Sequence, residues 1–317
     1  MMDSRTDNHS PRLDQEIQDF LLERQIRKVS KSTLNWHERC LHRFRDYCYA
    51  RQVTATQGIT PNLLRHFVLD LETSGHNAGG LSNIYRSVKA FLNWCETEYD
   101  NRGWQNPARK VKVINRKEEP LDPLPIEHFH KLLATCERKT LTGDRDRALL
   151  MVLLDTGIRK AEIAALLVSD LDLKTGSVLI RSGKGGKPRT VFVGATTRRA
   201  LMAYLREREA FLTYQEKHHR LRMTDALWIS GRDGKRLRYD GVREVLRRRA
   251  ADAGIPEPSP HSFRRAFAVN ALRNGMNILT LQRLLGHSDL SVINRYVKFL
   301  KDDLQQAHEQ FGVVDNL

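Results

Sequence analysis

Long apolar runs are missing from this chain of 317 residues. None approaches the roughly 18 residues that a membrane-spanning helix requires. The first residues, Met1 to Asp14, are too polar for a secretory signal, so an intracellular, cytoplasmic protein with no membrane partner is expected. Cysteine is scarce: Cys40, Cys48, Cys95 and Cys136 stand in neither metal-ligand nor redox spacing, which argues against a disulfide framework and a zinc site. The paired histidines of Glu216–Arg222 (EKHHRLR) have no third ligand at suitable spacing. A Walker A loop and a dinucleotide fingerprint are also absent. Acidic residues fall short of basic ones, 38 against 53, leaving a net charge of +15 and a pI near 9.9. Such an excess calls for a polyanionic partner, nucleic acid first and an acidic membrane surface second.

The length allows two domains with a core each. Residues 1–12 read as a disordered tail and 13–106 as an all-helical domain. Its apolar positions recur at helical spacing through Phe20, Leu34, Cys40, Leu41 and Phe44, and again through Ile84, Val88, Phe91 and Leu92. Thr60-Pro61 marks a helix start between them. Arg24, Arg27, Lys28, Lys31, Arg39, Arg43, Arg86 and Lys89 fall on the polar faces; a solvated surface explains them as well as a nucleic-acid contact does. From Pro107 the sequence PARKVKVINRKEEPLDPLP has proline and charge but no helical period, so a basic linker is expected over 107–123. The remaining residues, 124–317, form the second domain.

In that domain helices are expected at Ile126–Cys136 and Asp144–Asp155, stopped by Gly157, with Arg159 opening the next helix. An arginine beside a helix N-terminus suits phosphate binding. Val178–Arg181 and Thr190–Val193 alternate as strands around Gly183-Lys184-Gly185-Gly186-Lys187, a glycine-rich hairpin. Helices follow at Thr196–Phe211 and Asp240–Ala253, with Glu216–Arg222 as a loop. After Pro258-Ser259-Pro260 a helix starts at His261, places Arg264 one turn on, and stops at Asn274-Gly275. A short helix over Ile278–Leu285 ends at Gly286, just before His287, and a third, capped by Ser291, carries Tyr296. Taken singly, each residue has an ordinary explanation: a helix-start histidine, a surface arginine, a core tyrosine.

Together they match a pattern. His261-Ser262-Phe263-Arg264, then Leu284-Leu285-Gly286-His287, then Tyr296 resemble the second arginine box and nucleophile of the tyrosine recombinase (phage integrase) family. Upstream, Thr156-Gly157-Ile158-Arg159-Lys160-Ala161-Glu162-Ile163 resembles the first arginine box, and the glycine-rich hairpin resembles the family's lysine hairpin. The likeness runs from about Leu124 to the C-terminus. Arg265 departs from it, where many members carry histidine.

The resemblance implies a mainly α fold with a small antiparallel β-sheet, an α+β catalytic domain within a two-domain C-shaped DNA clamp. It implies Tyr296 as the nucleophile on a DNA phosphodiester and Arg159, Arg264 and His287 as donors to the non-bridging oxygens. His261 would accept the phenol proton, and Lys184, with Lys187 as fallback, would protonate the leaving 5′-oxygen. Glu162 would orient its neighbours. No metal, cofactor or ATP is implied. Partners would be double-stranded DNA and further copies of the chain: a homotetramer on two duplexes, exchanging strands through a Holliday junction near the nucleoid, with a monomer or weak oligomer off DNA. Residues from Phe299 through Leu300, Leu304, Ala307 and Phe311 would form a tail helix docking on a neighbour. Two rivals are a type IB topoisomerase-like enzyme and a non-catalytic DNA-binding protein on the same scaffold. The short stretch between Lys184 and His261 lacks the insertion of integron integrases.

Overall fold

The computed structural model describes residues 13–98, 104–112, 122–181, 188–219 and 224–286. It divides into two compact units, Met1–Glu119 and Pro120–Leu317.

The first unit is helical: α1 (Leu13–Ile26), α2 (Lys31–Tyr49), α3 (Pro61–Thr73) and α4 (Ala78–Glu98). Polar side chains set the starts. Ser30 accepts from the Thr33 amide at 3.3 Å, and Thr60 accepts from the Leu63 amide at 3.1 Å ahead of Pro61. Leu64, Phe67 and Leu71 follow on one face of α3 and are fully buried. Phe20, Phe44, Phe67 and Phe91 fill the centre. Phe44 meets Phe67 edge-to-face at 5.0 Å and Phe20 meets Phe91 at 5.7 Å, contacts each contributing about 1 kcal/mol beyond area burial.

One boundary differs from the sequence expectation. The linker expected from Pro107 begins later, because Pro107–Lys110 forms a 3-10 turn capped by Asn106, whose side chain accepts from the Ala108 amide at 2.9 Å. Ala108 and Val111 are buried in the core of this unit, and Arg109 pairs with Glu96 at 2.9 Å. Two small apolar residues among the charges anchor the segment.

The second unit holds α5 (Ile126–Ala134), α6 (Leu141–Thr156), α7 (Lys160–Ala165), β1 (Leu171–Asp172), β2 (Ser177–Ile180), β3 (Arg189–Phe192), α8 (Ala195–His219), α9 (Tyr239–Asp252), α10 (Pro260–Arg273) and α11 (Ile278–Leu285). The three strands make one antiparallel sheet in the order β1-β2-β3, with Val178 opposite Val191 and Ile180 opposite Arg189. Helix α6 is the spine. Six consecutive residues, Ala148 to Leu153, are buried, and a helix apolar around its circumference has to be covered on all sides. An ionic cluster ties it to α9: Asp146 is fully buried and accepts from Arg145 Nε at 2.9 Å, Arg248 Nη2 at 2.6 Å and Arg249 Nε at 2.9 Å.

Helix α8 is longer than expected. The stretch from Glu216 to His219, read from sequence as loop, continues the helix, and the Tyr214 and His218 rings lie 4.4 Å apart one turn along it. No helix among the described residues is long and apolar enough to cross a membrane.

Candidate active site

Three of the six residues singled out in the sequence are described: Arg159 and Arg264 meet at the C-terminal end of α11, and His261 stands one turn from Arg264 on its helix. Each comes from a different element, held by local chemistry. Helix α10 is capped by Ser259, which accepts from the Ser262 amide at 3.1 Å, with Pro260 in the first turn. This start places His261 and Arg264 one turn apart on the same helix. Helix α11 is capped by Asn277 at its start and ends at Gly286, whose φ of +63° is left-handed. Helix α6 ends likewise at Gly157, with φ +58°.

The last carbonyls of a helix lack intrahelical partners and carry its negative end. In α11, guanidinium groups take them in sequence. Arg189 Nε donates to Leu284 at 2.9 Å, Arg264 Nη2 to Leu285 at 2.5 Å, and Arg159 Nη2 to Gly286 at 3.1 Å. Arg264 is buried, and its Nη1 donates to the Gly157 carbonyl at 2.6 Å. Arg264 thus joins the end of α6 to the end of α11. Five N–H groups on a rigid plane allow such a residue to hold the scaffold and still present donors to a ligand.

Arg159 stands at the start of α7, and Glu162 one turn on folds back to it. Glu162 Oε2 accepts from the Arg159 amide at 2.9 Å and Oε1 from Arg159 Nη1 at 2.9 Å. The helix start is therefore occupied by a carboxylate, so the attraction for an anion comes from the guanidinium and not from the helix end. Burial pushes the Glu162 carboxyl up, but hydrogen bonds from Arg189 and Arg159 outweigh it and hold the pKa at about 2. Arg189 forks onto the same carboxylate, Nη1 to Oε1 at 2.8 Å and Nη2 to Oε2 at 2.7 Å. Sequence reasoning missed Arg189. Its signal was the strand period: Arg189 lies two residues before buried Val191, on the inward face of β3, where an ordinary surface arginine does not belong.

His261 is exposed at the surface of α10, with protein packed near part of the ring. That desolvation, reinforced by the positive charges of Arg264, Arg265, Arg159 and Lys160, lowers its pKa below the ordinary 6.5. A neutral imidazole at physiological pH is the form that accepts a proton. Lys160 lies with Nζ 3.4 Å from the centroid of the Tyr239 ring, an arrangement of cation over aromatic face. Lys184, its fallback Lys187, His287 and Tyr296 lie outside the described residues, as do the helix expected after Ser291 and the tail from Phe299.

A cationic cluster converging on one helix end suits the charge that develops in phosphoryl transfer. The sequence pattern of the phage integrase family matches residues 124–302, more than half of the chain. The chain belongs to the phage integrase family and is a tyrosine site-specific recombinase. Among its relatives is tyrosine recombinase XerD of Listeria innocua serovar 6a, 28% identical over 298 residues, covering 93% of this chain and 97% of that one. Tyrosine recombinase XerA of Saccharolobus solfataricus is 31% identical over 223 residues, 70% of this chain and 64% of that protein. The fold is shared with the Tn1549 transposon integrase solved in complex with transposon right end DNA, at a TM-score of 0.70 and 17% identity, covering 96% of this chain and 100% of that one.

Proposed function

We propose that the chain cleaves duplex DNA at a specific site through Tyr296 and rejoins it to a second strand. The phenol oxygen attacks the phosphorus and the 5′-oxygen of the next nucleotide leaves, so the enzyme becomes joined through a 3′-phosphotyrosine. His261 takes the phenol proton, and Lys184 gives one to the departing 5′-oxygen. Arg159, Arg264 and His287 neutralise the charge that builds on the non-bridging oxygens. The bond energy is retained in the phosphodiester to tyrosine, so rejoining needs no ATP. The observation that carries this reading is the meeting of Arg159 and Arg264 at the end of α11, directly before His287, with His261 one turn from Arg264 on α10.

The first unit is proposed as the core-binding domain and the second as the catalytic domain, with the linker between them. Four copies on two duplexes would exchange strands in two rounds through a Holliday junction, in the cytoplasm beside the nucleoid. An apolar cavity of about 700 Å³ in the second unit, lined by Phe129, Met151, Leu154, Phe267 and Met276 among others, supports docking of a tail such as Phe299 to Phe311 from a neighbour. Relatives bearing the name tyrosine recombinase over almost their full length support the reading.

The test is covalent capture. Purified protein is mixed with fragmented genomic DNA, denatured, and the DNA that stays attached is sequenced. Wild type should retain one enriched site and Tyr296→Phe none. Equal retention by the variant removes Tyr296 as the nucleophile. Relaxed circles without recombined products, on a plasmid carrying two copies of the site, would favour the topoisomerase-like rival.

A further inference from the structure

The Glu162 carboxylate poses a physical problem for the site. It is buried, with a side chain only 4% exposed, and it bonds the Arg159 guanidinium directly. A carboxylate in that position offsets the positive charge that Arg159 must offer to a phosphate. With Glu162 and Arg159 alone, the pair would be close to neutral, and the first arginine box would contribute little electrostatic stabilisation.

Arg189 changes this balance. Its two terminal nitrogens take both carboxylate oxygens in the parallel fork that gives the strongest arginine–carboxylate pairing. Counting Arg159 and Arg189 as +1 each and Glu162 as −1, the group carries a net charge of +1. The two arginines are not equivalent. The Arg189 side chain is 11% exposed and Arg159 is 22% exposed, so the surplus charge faces outward at Arg159. The third Arg189 donor, Nε, is fastened to the Leu284 carbonyl. Gly286 leaves room for this: a Cβ there would stand 3.1 Å from Arg189 Cδ and 3.2 Å from Nε. Arg189 also follows, by two residues, the glycine-rich hairpin that ends at Lys187.

We infer that Arg189 is a positioning residue of the cleavage reaction, which neutralises Glu162 so that Arg159 keeps its full charge for the scissile phosphate. It touches no reacting atom. The inference rests on the reading above, that Arg159 stabilises the transition state of strand cleavage.

The experiment uses the full-length protein and a duplex built on the site recovered by covalent capture, nicked near the cleavage point so that the cleaved product cannot rejoin. Adduct formation is followed at saturating DNA in a single turnover, with DNA affinity and melting temperature measured alongside. Arg189→Gln should slow adduct formation by about ten- to a hundredfold, with DNA affinity changed by less than about threefold, because a single side chain that is only 11% exposed is altered. Glu162→Gln in the same chain removes the charge that Arg189 balances, so the double variant should recover most of the lost rate. A merely structural pair would act through the melting temperature, so rates are compared at a temperature where every variant is fully folded; there a purely structural loss leaves the rate of Arg189→Gln at the wild-type level. Arg189→Lys loses the fork but keeps the charge that the inference depends on, so it should stay within about tenfold of wild type; it also carries the test if Arg189→Gln does not fold. Wild-type rates in Arg189→Gln, a double variant no faster than Arg189→Gln, or Arg189→Lys impaired a hundredfold would each overturn the inference. If wild type forms no adduct, the reading of Tyr296 and Arg159 fails and this inference falls with it; if wild type reacts normally and Arg189→Gln matches it, this inference alone fails.

Discussion

Arg264 and Gly157, 107 positions apart in the chain, are joined by a 2.6 Å hydrogen bond from Nη1 to the carbonyl. The bond exists because Gly157 turns α6 off with a left-handed φ of +58°, which aims its carbonyl toward α10. Packing demands the missing side chain as well. A Cβ on Gly157 would stand 2.7 Å from Phe267 Cδ1 and 3.0 Å from Leu285 Cδ2. Gly157→Ala should therefore destabilise the protein by about 2 kcal/mol or more, from the left-handed cost and overpacking together. It should also reduce cleavage at temperatures where the variant is fully folded, since the carbonyl and Leu285 both hold Arg264. Urea unfolding and single-turnover cleavage measured on the same preparation check this; an unchanged midpoint would refute it.

Asp146 makes a second stability prediction. It is the one carboxylate shared by Arg145, Arg248 and Arg249, and two of these guanidiniums are themselves buried. Asp146→Asn leaves them facing each other with only the half-exposed Asp252, 3.7 Å from Arg249, as a counter-charge, which should cost about 3–5 kcal/mol. The urea midpoint should fall accordingly. A loss under about 1 kcal/mol would show that water enters the cluster and solvates the arginines.

Glu162 sets an acid limit. Its pKa is held at about 2 in the folded protein against an ordinary 4.5. A depressed carboxylate stabilises the fold fully above pH 4.5, and that contribution is lost as pH falls from 4.5 to about 2. At neutral pH it is on the order of 3 kcal/mol. The stability difference between wild type and Glu162→Gln should shrink steadily across that window. A difference that is flat with pH would mean that the carboxylate is not ionised by its arginines.

Most of the fold was legible in the sequence because its signals are local. Ser30, Thr60, Ser259 and Asn277 cap helices within three residues, and Gly157, Gly275 and Gly286 stop them. The arginine boxes were legible because two short, fixed spacings carry them. What was hidden depends on distant partners. Nothing next to Asp146 in sequence announces Arg248 or Arg249, a hundred residues on, and nothing in the run Pro107–Lys110 announces a buried Ala108. Arg189 opens a strand read from sequence as starting one residue later, at Thr190, so its place on the inward face was lost. The continuation of α8 through EKHH was read as loop because charge density says nothing about helix length.

DNA affinity should fall steeply with salt. A net charge of +15 serves a duplex by displacing its counterions, and a protein touching about six or more phosphates loses roughly a thousandfold in affinity between 50 and 200 mM salt. Titrations at several salt concentrations, on the captured site and on unrelated duplex, give the slope directly. A nearly flat dependence would mean that the basic excess meets some other partner.

The last prediction concerns His261 and the residue that departs from the family pattern. Partial burial and then the charges of Arg264, Arg265, Arg159 and Lys160 lower the His261 pKa beneath 6.5. As the proposed acceptor of the tyrosine proton it works only when neutral, so the rate of adduct formation should hold as pH falls through 6.5 and decline only below it. Among the four cations Arg265 is the one to remove, because it stands outside the proposed catalytic set and its Nε is spent on the Asp122 carbonyl at 3.1 Å. Arg265→Gln takes away one positive neighbour, which makes the imidazolium easier to form. The acid limb of the pH–rate profile should therefore move to higher pH, with the plateau rate near neutrality preserved. Arg265→Lys keeps the charge and should leave the limb close to its wild-type position. Should the limb stay put in Arg265→Gln, or vanish from the wild-type profile altogether, the proton acceptor is a group other than His261.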